Sequence, residues 1–237
     1  KRQVVSVGGG VVGSAVAFFL ATNPDFDGRV LVIEKDWTYR KAATALSSSS
    51  IRHQFSNALN VRISMFGVEF IQNFPTLAAT DVSGPDLHLT ENGYLFIAND
   101  QRGVDILRRN AATQQACGAD TVLLDNDGIR RQFPWMTADD ILLGSYGPRG
   151  EGWFDNMGYL NGLRHKARVS GVTYIEDEVI GLGRTADRIT HVTLRSGRSV
   201  AAGTVVNAAG TRGTAVARMA ALDLPVEPRR RSLFVID

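Results

Sequence analysis

A glycine-rich turn near the start of the chain restricts its fold more than any other feature of the sequence. Gln3–Val7 is a short apolar run, and the glycines of a G-x-G-x-x-G pattern follow it at Gly8, Gly10 and Gly13. Val11–Thr22 then supplies small and apolar residues without a breaker, which predicts a helix. In this setting the glycines permit a tight turn, close approach to a pyrophosphate and close helix packing, and the helix N-terminus attracts phosphates.

A second strand completes this unit. Arg29–Glu34 is nearly all apolar and β-branched, as in a parallel strand covered on both faces, so the unit is β-α-β with a right-handed crossover. Glu34 closes the strand 21 residues after Gly13, where a carboxylate accepts both ribose hydroxyls of an adenosine and repels a 2′-phosphate. This predicts FAD or NAD rather than NADP. The alternative is a glycine-rich turn beside an exposed Glu at a strand end.

The composition is that of a globular protein and excludes several classes of partner. The 237 residues are 44% hydrophobic and carry a formal net charge of only +2, which gives no electrostatic case for nucleic acid. We see no signal peptide and no apolar run of about 18 residues, so we expect a cytoplasmic protein without a membrane span. Cys117 is the only cysteine and the four histidines lack ligand spacing, so we expect no metal site.

The pattern along the chain predicts two lobes. Residues 57–74 carry apolar residues at helical spacing before Pro75, and from Leu87 the pattern changes to short antiparallel strands near Leu89 and at residues 94–97 and 141–146. Residues 204–207 resume the parallel-strand pattern, so the second lobe is an insertion. We also expect helices at residues 101–117, 127–133 and 156–170 and strands at residues 172–176, 178–182 and 189–194. The predicted domains are a nucleotide domain of residues 1–84 and 155–223, and a second domain of residues 85–154, to which residues 224–237 begin to return.

Three further segments are candidates for a ligand site, and each has a plainer alternative. Residues 41–50 have small side chains that let backbone approach a flat cofactor ring, but such tracts more often form flexible loops. Arg52 and His53 either place positive charge near the pyrimidine end of a flavin or are a pair of solvated cations. Residues 208–210, Ala-Ala-Gly, either line the crevice at a strand end or simply end the strand.

In their order along the chain, these segments resemble a known family. Residues 7–13, 33–35, 48–56, 91–95 and 205–210 occur in the order seen in the FAD-dependent D-amino-acid oxidase superfamily, with most similarity to its sarcosine oxidase-like and glycine oxidase-like branch. The resemblance covers the whole chain. It implies an α/β fold, with a glutathione-reductase-like FAD domain of the Rossmann type and an inserted α+β antiparallel substrate domain. Since family members are longer and residues 234–237 resemble the middle of a strand, we expect the chain to be truncated at its C-terminus.

The same resemblance implies a role for individual residues. The pyrophosphate would contact Gly8, Gly10, Val11, Val12 and Gly13, and the adenosine would contact Glu34 and Lys35. The ribityl chain and flavin would be lined by Thr44, Ala45, Ser47, Ser48, Ser49 and Ser50, and approached by Ala208, Ala209 and Gly210. The backbone of Val179 would pair with adenine. Arg52 matches a basic position near the flavin and is the one residue to which we assign a catalytic role, through flavin electrostatics.

The implied activity is oxidation of the C–N bond of a small amino acid or N-methyl amino acid by hydride transfer to FAD. Either O₂ or an electron-transfer partner would reoxidise the flavin. Three alternatives stay open: an FAD-dependent 2-hydroxy-acid dehydrogenase, an FAD-binding scaffold or assembly protein without turnover, and an NAD-dependent dehydrogenase. The sequence does not specify the substrate side chain, the stereochemistry, covalent or non-covalent attachment of the flavin, or the oligomeric state.

Overall fold

The computed structural model describes residues 3–229 and 231–234. These residues form two units. The first comprises the described residues of Lys1–Ser48, Ala78–Pro85 and Asn156–Asp237, and the second comprises Ser49–Leu77 and Asp86–Asp155. Residues 49–77 therefore group with the second unit, whereas the sequence analysis places residues 1–84 together in the nucleotide domain. The domain functions themselves stay predictions.

The described residues form twelve strands and seven α-helices. The strands are β1 (Gln3–Val7), β2 (Arg29–Glu34), β3 (Ser50–Ile51), β4 (Tyr94–Ala98), β5 (Val122–Leu124), β6 (Leu143–Gly147), β7 (Gly152–Trp153), β8 (Thr173–Glu176), β9 (Val179–Arg184), β10 (Ile189–Leu194), β11 (Ser199–Ala201) and β12 (Thr204–Asn207). The helices are α1 (Val11–Thr22), α2 (Ala58–Gln72), α3 (Phe74–Leu77), α4 (Gln101–Ala116), α5 (Asn126–Gln132), α6 (Asn156–Val169) and α7 (Gly213–Met219).

A four-stranded parallel sheet organises the first unit. Its strand order is β12-β1-β2-β8, so the chain adds β2 and β8 on one side of β1 and β12 on the other. The direction in which strands are added thus reverses at β1. In open parallel sheets a ligand binds beyond the carboxyl ends of the strands at such a reversal. The glycine turn after β1 lies at that point.

The apolar residues of these strands are buried, as the sequence predicts. Val5 and Val32 are fully buried in β1 and β2, where β-branched side chains fit a pleated surface covered on both faces. A second sheet of the same unit, with the antiparallel order β11-β10-β9, contributes Val192 and Leu194 to the same hydrophobic cluster as Val5. The predicted parallel strands and the β9–β10 hairpin are therefore confirmed.

The second unit is built on an antiparallel sheet of order β4-β6-β5. Phe96 pairs with Ser145, and Tyr94 pairs with Gly147. Since side chains alternate between faces along a strand, Tyr94, Phe96 and Ser145 share one face of the sheet. Helix α4 packs near β4 through Val104, and its first turn is capped by the side chain of Asp100, which accepts from the Gly103 N–H at 2.6 Å.

Several element predictions for the second lobe were wrong in detail. No strand forms at Leu89, although the neighbouring Thr90 makes an isolated bridge to Trp153. The sequence analysis missed β5 and the two-residue pair of β3 and β7. Strands of two or three residues are too short to show a periodic pattern in the sequence. In the strand predicted at residues 234–237, Phe234 is irregular and residues 235–237 lie outside the described residues.

Among the described residues, no helix has both the length and the apolar character needed to span a bilayer. The same part of the chain holds no group of three or more His, Cys, Asp or Glu side chains placed to bind a metal ion.

Candidate functional site

Two glycines of the turn after β1 are required by close backbone packing. Gly8 has φ +105°, and a Cβ there would lie 2.4 Å from the carbonyl oxygen of Ala208. A Cβ on Gly13 would lie 1.9 Å from the carbonyl oxygen of Gly8. A Cβ on Gly10, by contrast, would meet only the Thr44 hydroxyl, at 3.2 Å. The first and third glycines therefore build the turn, and the second leaves a cradle that a side chain would fill.

The N-terminus of α1 presents free backbone donors to this cradle. Gly10 is the N-cap residue and supplies no side-chain cap. The Val11 N–H donates to Thr44 Oγ1 at 3.1 Å, whereas the N–H groups of Val12 and Gly13 have no acceptor among the described residues. Unpaired N–H groups at the positive end of a helix dipole form an anion site. The turn therefore fits a phosphate group.

Glu34 is tied to the glycine turn rather than standing free at a strand end. Its Oε2 accepts from the Gly9 N–H at 2.8 Å, and its Oε1 accepts from the Asp36 N–H at 3.0 Å. Each carboxylate oxygen has a second lone pair, so the group can still accept ribose hydroxyls. Because the carboxylate reaches the turn itself, it links the predicted adenosine end of the site to the predicted phosphate end.

Tyr39 is a contributor to the turn that the sequence analysis missed. Its side chain is only 3% exposed, and its hydroxyl donates to the Gly9 carbonyl at 3.2 Å. Ser14 Oγ donates to the same carbonyl at 2.9 Å. Burial raises the pKa of Tyr39, so the hydroxyl keeps its proton at neutral pH. With Glu34 on the N–H side, the Gly9 residue is held at both its N–H and its carbonyl.

We expect Tyr39→Phe to weaken FAD binding by about 3-fold to 10-fold, because one hydrogen bond of about 1 kcal/mol would be lost from the turn. The measurement is the dissociation constant of FAD from the full-length protein, by flavin fluorescence. Tyr146→Phe, in the second unit, is the control and should leave this constant unchanged. An unchanged constant in Tyr39→Phe would show that Tyr39 does not support the turn.

The loop of residues 41–48 is anchored to the turn through Thr44. Besides accepting from Val11, Thr44 accepts at its carbonyl oxygen from Asn156 Nδ2 at 2.6 Å. The first unit also contains Ala45, Ser47 and Ser48. The second unit contains Ser49 and Ser50, and Ser50 of β3 pairs with Trp153 of β7. The structure thus brings Thr44 to the glycine turn, and the flavin contacts of the other loop residues stay predictions.

The end of β12 approaches the turn from the other side. The Ala208 N–H donates to the Val7 carbonyl at 2.9 Å, which continues the parallel pairing and explains its contact with Gly8. Gly210 has φ +55° and open space where a Cβ would be, and it begins a short 3₁₀ helix. Ala208 therefore lies beside the glycine turn, and the flavin contacts of Ala208, Ala209 and Gly210 stay predictions.

Lys35 and Val179, the other two predicted adenosine contacts, make no hydrogen bond to the glycine turn among the described residues. Lys35 is exposed. Val179 begins β9 with a buried side chain, two residues after Asp177, whose N–H donates to the Glu34 carbonyl at 3.0 Å. Val179 is therefore two residues from Asp177, which is hydrogen-bonded to Glu34. Its contact with adenine stays a prediction.

Arg52 and His53 are not solvated surface cations. The Arg52 guanidinium lies over three rings of its own unit, 4.9 Å from the centroid of Phe55, 5.3 Å from Tyr94 and 5.6 Å from Phe96. Its Nε is buried without a hydrogen-bond partner among the described residues. His53 is 8% exposed, and burial lowers its pKa, so the ring is neutral at pH 7. Arg52 is half-buried and makes no ion pair among the described residues, so its charge is available to an anionic ligand.

Taken together, the first unit has the features of a dinucleotide-binding α/β protein. A parallel sheet reverses its strand order at the glycine turn, α1 offers unpaired N–H groups to a phosphate, and the carboxylate of Glu34 lies at the end of β2. The Gly10 cradle, which a Cβ would fill, is the observation that fits FAD.

The chain belongs to the FAD-dependent oxidoreductase family, because the family profile described as "DAO: FAD dependent oxidoreductase" matches residues 3–237. The predicted superfamily, fold class and FAD cofactor are therefore confirmed, and FAD is favoured over NAD. The family is one of enzymes.

Individual relatives support the same assignment. "FAD-dependent oxidoreductase domain-containing protein 1" of Xenopus laevis is 35% identical over 268 aligned residues, which take in 100% of this chain and 54% of that protein. Human mitochondrial sarcosine dehydrogenase is 27% identical over 99% of this chain and 25% of its own length. The crystal structure of L-proline dehydrogenase from P. horikoshii superposes with a TM-score of 0.79 at 26% identity, over 93% of this chain and 56% of that chain. The chain thus spans about half the length of the frog relative.

Proposed function

We propose that the full-length protein oxidises the C–N bond of a small amino acid or N-methyl amino acid, with FAD as the hydride acceptor. The observation that carries this proposal is the half-buried cation of Arg52, which is held over three aromatic rings and makes no ion pair among the described residues. A substrate carboxylate would supply the missing counter-ion. The similarity to a sarcosine dehydrogenase and an L-proline dehydrogenase supports an α-amino acid as the substrate class.

Bound FAD would supply the redox chemistry, and the residues of this chain would supply binding and charge. The N–H groups of Val12 and Gly13 would hold a phosphate, and Glu34 would accept hydrogen bonds from the ribose. Arg52 would hold the substrate carboxylate through charge-assisted hydrogen bonds. The rings of Phe55, Tyr94 and Phe96 would hold the Arg52 cation in place through cation–π attraction.

A 2-hydroxy acid also carries a carboxylate, so Arg52 would hold it equally well. For this reason the test must compare nitrogen and oxygen substrates of similar size. It must also compare each amino acid with the same amine without its carboxylate, since the proposal assigns the carboxylate to Arg52.

The experiment is anaerobic reduction of the purified full-length flavoprotein, followed by its absorption spectrum. We expect sarcosine, proline, glycine or a D-amino acid to bleach the flavin. Lactate, dimethylamine and pyrrolidine should do so at least about 100-fold more slowly, since they lack either the amine or the carboxylate. Bleaching by lactate alone would replace the proposal with a hydroxy-acid dehydrogenase. Bleaching by none of these compounds would favour an FAD-binding scaffold.

A further inference from the structure

The peptide bond between Arg52 and His53 is held at both ends by side chains distant in the sequence. The Arg52 carbonyl accepts from Ser64 Oγ, which lies in α2. The His53 N–H donates to Glu151 Oε1 at 2.8 Å, from the segment that leads into β7. Such contacts fix the direction in which the Arg52 side chain leaves the backbone. They add to the three rings that surround its guanidinium.

Glu151 is an unusual residue to find at such a position. It is only 1% exposed, and no cation lies within ion-pair distance of it among the described residues. Burial raises its pKa, while hydrogen bonds from Gln54 and His53 and the charge of Arg52 oppose that rise. A buried carboxylate without a direct ion pair costs stability, so packing alone does not account for it.

The hydrogen bonds of Gln54 restrict which side chain can replace Glu151. Gln54 Nε2 donates to Glu151 Oε2 at 2.9 Å and to the Tyr94 carbonyl at 2.7 Å, and its Oε1 accepts from Ser145 Oγ at 2.7 Å. The orientation of this amide is therefore determined by three partners. Position 151 must accept two hydrogen bonds, one from Gln54 and one from the His53 N–H. Both oxygens of a carboxylate do so, and an amide offers only one oxygen.

We propose that Glu151, assisted by Ser64, is a positioning residue that holds Arg52 in place for its anionic ligand. Glu151 fixes the backbone on the C-terminal side of Arg52. Through Gln54 it also connects this backbone to β4 and β6, the strands of the sheet that carries Tyr94 and Phe96. A cation held in this way need not reorganise when the anion binds. The part played by a substrate carboxylate rests on the proposed function above, whereas the fixing of Arg52 does not.

The first test observes the arginine itself in the full-length protein. Ring currents from Phe55, Tyr94 and Phe96 should displace the Arg52 Nε–H resonance in a ¹⁵N-arginine spectrum, and Arg52→Lys assigns that signal. In Glu151→Gln an N–H of the new amide would face the donor of Gln54 or of His53, so we expect the displaced signal to move towards the ordinary arginine position. Ser64→Ala removes the other contact with less disturbance of the core and should move the signal in the same direction.

The second test measures function in the same variants. The preference for sarcosine over dimethylamine, or for proline over pyrrolidine, should fall about 10-fold to 100-fold in Glu151→Gln, because a small misplacement of a binding group has effects of this size. Turnover of the amines without a carboxylate and the FAD content should not change. Glu69→Gln is the matched control: Glu69 is exposed in α2, and its side chain makes no hydrogen bond or ion pair with the described residues.

The two tests separate the inference from the proposed function. An Arg52 signal that stays in place in both Glu151→Gln and Ser64→Ala would overturn the positioning role, whatever the activity. A signal that moves while the substrate preference stays the same would support the positioning role and contradict a carboxylate ligand for Arg52. A signal that moves together with a loss of preference would support both.

Discussion

Gly13→Ala is expected to abolish FAD binding and to lower the yield of folded protein. The added Cβ would lie 1.9 Å from the Gly8 carbonyl oxygen and 3.0 Å from Ser6 Oγ, so either the turn or the start of α1 must move. Overpacking of this kind costs about 1–3 kcal/mol, and here the displaced groups are the N–H donors of the proposed phosphate site. The measurements are the flavin content of the purified full-length protein and its thermal melting curve.

Gly10→Ala is the matched control for that variant. Its Cβ would meet only the Thr44 hydroxyl at 3.2 Å, so the chain should fold with nearly the melting temperature of the unmodified protein once both are free of FAD. The methyl group would nevertheless occupy the space of a phosphate, and we expect FAD affinity to fall by at least about 10-fold. Normal flavin content in Gly13→Ala would contradict the phosphate site proposed here.

The second large effect is expected from Arg52→Ala, which should retain FAD but lose most of its activity towards amino acids. Removing one partner of a buried charge pair costs about 2–5 kcal/mol, which is about 30-fold to several-thousand-fold in kcat/KM. Arg52→Lys should recover only part of this, because an ammonium lacks the planar face that lies over the rings of Phe55, Tyr94 and Phe96. The measurement is anaerobic flavin reduction against substrate concentration.

The midpoint potential of the flavin distinguishes two roles for Arg52. If Arg52 holds the substrate carboxylate, Arg52→Ala should raise KM and leave the potential of the substrate-free protein nearly unchanged. If it provides flavin electrostatics, as the sequence analysis predicts, the potential should fall, since positive charge stabilises the reduced, negatively charged flavin. Unchanged activity and unchanged potential together would exclude both roles.

The sequence alone was sufficient to predict the nucleotide-binding half of the fold. α1 and β2 were predicted with the bounds that the structure shows, because the composition of each segment and the glycines between β1 and α1 indicate the element without its distant partners. The place of Glu34 at the end of β2 follows from the same short-range order. Resemblance to the family then identified FAD, which the spacing of these residues left undecided between FAD and NAD.

Only the tertiary structure identified Tyr39 and Glu151. Tyr39 reaches the Gly9 carbonyl across 30 residues, and Glu151 reaches the His53 N–H across 98. Neither contact produces a periodic pattern in the sequence, because each is a single hydrogen bond made after distant elements have packed. The surroundings of Arg52 were also decided by tertiary structure. Its sequence neighbours are a run of serines, and its guanidinium is covered by rings only because β4 brings Tyr94 and Phe96 beside it. Local order thus determined where the cofactor domain begins, and long-range packing determined which polar groups are buried and aligned.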